Sequence, residues 1–157
     1  MRQMVYALAL CVLGTASSAC PDYTLLGREV YETTAQELYT PRSLNVVVDG
    51  DRALQYCRDR APNWTGPMYG WVYDEPHFTI TIRGLTGYQL EFSVESNCDS
   101  VMLINTADGN LYFDDNANGN RDPKIRLTRP AGDGIYDIWI GTYNGTICDG
   151  RLIMETF

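Results

Sequence analysis

The sequence is poor in the residues most catalytic sites draw on. It holds one histidine, His77, and one lysine, Lys124, among 157 residues. A Ser-His-Asp hydrolase needs a base, so His77 is the sole candidate, and no G-x-S-x-G supplies a nucleophile. His77 follows Pro76 where a strand pattern starts, a place that suits a surface or strand-edge histidine. There is no Cys-x-x-Cys pair, and with one histidine that leaves no zinc site. Carboxylates are plentiful, but none is marked as one of a pair facing each other across a glycosidase cleft. Basic residues are few: 12 Lys and Arg against 20 Asp and Glu, a net charge of −8. An acidic surface disfavours nucleic acid and anionic membranes as partners.

Long apolar runs are also missing after the first residues. Met4 to Leu13 is apolar, follows Arg2 and leads to Ser17-Ser18-Ala19. That is a signal peptide in length and flanks, too short to span a bilayer; the alternative is a buried N-terminal strand or helix. Cleavage after Ala19 makes 1–19 a signal peptide and the protein periplasmic or secreted, with no transmembrane span. The rest divides into an arm with a first strand and a short helix, 20–70, and a sandwich core, 71–157, in one domain.

Five cysteines are present, and Cys11 falls in the signal segment. Cys20, Cys57, Cys98 and Cys148 remain, an even number in an exported chain, which reads as two disulfides with three possible pairings. Cys20 at the cleavage point also permits a lipid anchor, disfavoured because it strands one of the other three thiols.

Residues 21–39 are polar without a clean period. Val46, Val47 and Val48 favour a strand before Asp49-Gly50. Residues 51–60 suit a short helix or a loop pinned by Cys57, and 61–70 read as loop. From Trp71 the pattern is β. Phe78, Ile80 and Ile82 alternate with threonines, and Leu90, Phe92 and Val94 alternate with polar residues, so each strand has one wet face. Val101 to Ile104 is apolar on both faces. Tyr136, Ile138 and Ile140 alternate with Asp137, Trp139 and Gly141. Eight or nine short strands with frequent turns and no helical period predict an all-β antiparallel sandwich.

One polar stretch has metal-like spacing. Asp114, Asn116 and Asn118 stand two apart, Gly119 follows, Asn120 comes next, and Asp122 completes D-x-N-x-N-G-x-x-D. Calcium takes six to eight oxygens, and a curling loop points alternate side chains inward. Position twelve is Ile125 and no helices flank the loop, so it is no EF-hand. Calcium of weak affinity is one expectation; a plain turn is the other, since Asn-Gly favours hairpins and Asp and Asn favour turns without metal.

Around this loop the chain resembles the bacterial pre-peptidase C-terminal domain. The resembling residues are Asp99 to Leu103, Asp114-Asp115 after a Phe-ending strand, Pro130-Ala131, and Gly134 to Ile138; together they fall within Phe78 to Phe157, half the chain. The resemblance implies a jelly-roll-like sandwich, found beside secreted proteases and elsewhere, with calcium in some members and no catalysis of its own. It also implies that the first and last elements of the motif lie side by side, pairing Cys98 with Cys148. Cys20 and Cys57 are then left to tie down the irregular arm.

Trp64, Trp71, Trp139 and Tyr143 are candidate aromatics for stacking on a carbohydrate or anchoring a protein; alternatively, Trp139 covers a second core beneath the arm. Three functions follow: a non-catalytic exported binding module stabilised by calcium, an inhibitor-like regulator or accessory of a secreted protease, or a small hydrolase.

Overall fold

The computed structural model describes residues 20–57 and 66–157. The expected signal peptide and Trp64 lie outside the described residues.

Among the described residues eleven strands form two sheets. β1 (Glu29–Thr34), β5 (Phe78–Arg83), β10 (Gly134–Thr142), β7 (Ser100–Asn105) and β8 (Leu111–Asp114) pair in that order, and β4 (Trp71–Val72) with β3 (Arg52–Ala53) joins the far end of β10. The second sheet runs β2 (Arg42–Val48), β11 (Cys148–Thr156), β6 (Leu90–Ser96), β9 (Lys124–Leu127). Pairing is antiparallel except for β1 on β5.

The alternating residues explain the layers. Phe78, Ile80, Ile82, Met102, Ile104, Tyr136, Ile138 and Ile140 from the first sheet meet Val46, Val48, Leu90, Phe92, Val94, Leu152 and Met154 from the second in one core. A smaller core lies on the other face of the first sheet, where Leu54, Met68 and Val72 cover Val101, Leu103 and Trp139. Both faces of β7 are therefore buried, as its unbroken apolar run predicts.

The arm is tied where expected: Cys20 bonds Cys57, and Cys98 bonds Cys148. With its sulfur in a disulfide, Cys20 offers no thiol to a lipid. The arm then passes so close to β5 that a Cβ on Gly27 would lie 2.6 Å from the backbone nitrogen of Thr79.

Two local expectations change. The polar stretch after the arm contains the regular strand β1, which inserts only Tyr31 and Thr33 towards the interior. Residues 51–57 are a two-residue strand followed by one 3-10 turn, Leu54–Tyr56. A longer helix would break the pairing of Arg52 and Ala53 with β4.

Candidate functional site

β1 and β2 are both terminal strands, one in each sheet, and among the described residues each leaves one backbone edge without a neighbour. The chain between them forms a 3-10 turn, Glu37–Tyr39, whose Leu38 is fully buried in the main core. That link closes the seam between the sheets at one end. At the other end, where β1 begins and β2 finishes, the seam opens into a groove of about 480 Å³ lined by Arg28, Glu29, Val46, Val47, His77 and Asp149, among others. Asn45, Asp149 and Gly150 also line an adjoining hollow of about 430 Å³ that reaches Glu95, Asp122 and Arg151.

His77 is central to this end. β10 pairs with β5 as far as Ile138 opposite Phe78, and β4 meets β10 only at Thr142. The amide of Ile140 falls in the gap and donates to His77 Nδ1 at 3.2 Å. The ring thus extends the ladder by one step. Because Nδ1 accepts, the proton of the neutral ring belongs on Nε2, which lies 3.3 Å from Asp49 Oδ1. Burial holds the His77 pKa below its ordinary value, with Asp49 pulling it up and Arg28 pushing it down. Tyr73 donates its hydroxyl to the other Asp49 oxygen at 2.9 Å, which together with burial raises the phenol's pKa. Arg28 lies over the Tyr73 ring, 3.9 Å from its centroid, and 3.0 Å from Glu75 Oε1. Asp49, at the end of the second sheet, thereby fastens to the loop that starts β5 in the first.

The partners of the His77 ring are a carboxylate and a backbone amide. Both ring nitrogens are engaged and the side chain is 5% exposed. Neither partner is a hydroxyl or thiol nucleophile.

A second polar cluster surrounds the Asp114–Asp122 loop. Asp114 Oδ2 accepts the amides of Asn116, Ala117 and Lys124. Asn118 donates its side-chain amide to Val94. Asp122, 4% exposed, accepts the Ser96 amide and the hydroxyls of Ser96 and Ser100. Asn120 and Arg121 both have positive φ, 51° and 64°, and the Asp122 amide donates to Gly119. This is a type I′ corner, two residues beyond the Asn-Gly pair that suggested it. Asp114 and Asp122 turn their carboxylates to different sets of donors. Among the described residues no three His, Cys, Asp or Glu side chains are grouped to hold a metal. Calcium at the loop stands as a proposal for calorimetry.

The aromatics separate. Trp139 is 1% exposed and donates its indole N–H to Asp74, so it belongs to the second core and leaves the set of candidate binding residues. Trp71 is half-buried in β4, and Tyr143 is exposed beyond the end of β10. Neither lines the seam groove. The groove residues Arg28, Glu29 and Asp149 carried no sequence signal, because only the fold brings β1, β2 and β11 to one end.

No family model matches the chain, and no curated protein matches it either. Among solved structures, the fold is similar to the pre-peptidase C-terminal domain of a Bacillus anthracis collagenase, at 10% identity, TM-score 0.45, covering 82% of this chain and 94% of that one. It is also similar to a periplasmic inhibitor of g-type lysozyme from Aeromonas hydrophila, at 9% identity, TM-score 0.43, covering 82% and 98%. The likeness concerns the fold alone.

Proposed function

We propose that this protein is an exported, non-catalytic binding module that takes an extended segment of a protein partner into the seam groove. The observation that carries the reading is the pair of unpartnered strand edges beside a groove of about 480 Å³. An extended chain added to a sheet edge gains backbone hydrogen bonds, and pockets for alternate side chains give selectivity. Val47, 49% exposed on β2, offers an apolar contact at the groove. Two disulfides and an acidic surface suit a protein working outside the cytosol. The engagement of both His77 nitrogens supports a binding rather than a hydrolytic role.

The test is a screen of strand-length peptides by amide-shift mapping. Binding peptides should move the amides of Arg28, Asn45, Val47, His77 and Gly150. Val47→Trp fills the groove from an exposed position and should abolish binding while leaving the circular dichroism unchanged. Binding that maps elsewhere, or that survives Val47→Trp, removes the reading.

A further inference from the structure

Resting on that reading of the groove, we propose that its occupant is basic: an extended segment along the free edge of β2 that places a Lys or Arg side chain beside Asp149 and Glu29. The charges decide the sign. Arg28 is held by Glu75 and the face of Tyr73. Arg151 is held by Glu95, its Nε 2.9 Å from Oε2. Asp49 serves Tyr73 and His77, and Asp122 serves Ser96 and Ser100. Among the described residues, two groove carboxylates have no cationic partner. Glu29 accepts only the hydroxyl of Tyr31, a neutral donor. Asp149 is exposed, makes no side-chain hydrogen bond or ion pair among the described residues, and lies on the shared wall of both hollows.

Covering these carboxylates removes water from them, a cost that an opposite charge offsets and a neutral or acidic occupant does not. Among the described residues no three acidic side chains are grouped here to hold a free divalent ion. A second copy of this chain brings a further net charge of −8. A cation carried on a polypeptide avoids both difficulties: the strand edge supplies the hold, and alternation along the strand turns every second side chain towards the acids. Net charge also makes a basic segment the faster partner to arrive at low salt.

Calorimetry with three eight-residue peptides, alternating Lys-Val, Thr-Val and Glu-Val, tests the inference. Lys-Val should bind at least about tenfold tighter than Thr-Val at low salt and lose that advantage at high salt as the charges are screened. Glu-Val should bind weakest of the three. Asp149→Asn and, independently, Glu29→Gln should each bring Lys-Val towards Thr-Val; both sites accept a neutral isostere, and thermal melts confirm the fold. Asp149→Lys should shift the preference towards Glu-Val. Equal binding of Lys-Val and Thr-Val, or no effect of either neutral variant, overturns the basic occupant while leaving the groove in place. If none of the peptides moves the groove amides, the groove reading falls with it.

Discussion

Two polar clusters at the same end of the sandwich differ in what they leave over. Around Asp122, carboxylate, hydroxyl and amide groups satisfy one another, and the carboxylate is buried. At the seam groove, Arg28 and His77 are likewise engaged, through Glu75 and Asp49, but among the described residues Glu29 and Asp149 face solvent without a cation. Groups that complete each other hold a fold together. Exposed charges with nothing opposite them are available to something outside. The density of polar residues does not separate these cases; their remaining hydrogen-bonding and charge capacity does.

The sharpest way to break the comparison is at Asp122. Asp122→Ala strands the Ser96 amide and the Ser100 hydroxyl, so it should destabilise the protein by about 3 kcal/mol, on the scale of lost hydrogen bonds to a charged acceptor plus unsatisfied donors. Urea unfolding measures this. A loss below about 0.5 kcal/mol would mean the cluster is not structural.

His77 should show the next largest effect, and it should depend on pH. The groups facing the ring are Asp49, Arg28, Glu75 and Tyr73. The folded-state pKa is lowered, mainly by burial, so the unfolded chain binds the extra proton more readily. Stability from neutral His77 is therefore complete above about pH 6.5, the unfolded value, and is lost as pH falls from there through the lowered folded pKa. Protonation would also place a hydrogen on Nδ1 against the Ile140 amide. His77→Gln should remove this pH dependence from urea-unfolding profiles between pH 7 and pH 5; an unchanged slope would show that His77 does not titrate with folding.

Asp149→Asn should be nearly silent by comparison, within about 0.5 kcal/mol in the same unfolding experiment, as expected at an exposed site with no partner. A large loss would move Asp149 into the structural class and away from the groove. Smallest of all should be the thermal shift from calcium. With Asp114 and Asp122 already engaged by protein donors, a weakly held ion should raise the melting temperature by only about 1 °C at millimolar Ca²⁺, and Asp114→Ala should abolish the rise, since an ion bound by the native state alone stabilises by mass action. No shift and no heat in calorimetry would remove the ion from the loop.

Much of the sandwich was legible in the sequence because its strands alternate apolar with polar residues. Leu90, Phe92 and Val94 alternate in sequence and are buried in the structure. The apolar run of β7 announced a strand covered on both sides. β1 escaped because it is an edge strand: in Glu-Val-Tyr-Glu-Thr-Thr, Val30 is 56% exposed and a threonine takes an interior position. The pairing of the cysteines followed from the family resemblance, not from their spacing. At the Asp114–Asp122 loop, spacing left metal binding and turn formation open, since Asp and Asn that accept backbone amides have the same pattern as ligands. The role of His77 could not be read locally. It depends on an amide 63 residues away that is left over beyond the start of β5.

Amide hydrogen exchange of the two free edges, with and without the Lys-Val peptide, tests the binding surface most directly. Backbone pairing at the groove should slow exchange among residues 42–48 of β2, with little change at the far edges β8 and β9, and the protection should weaken in Asp149→Asn. Protection at β8 or β9 with β2 unaltered would contradict the assignment of the seam as the binding surface.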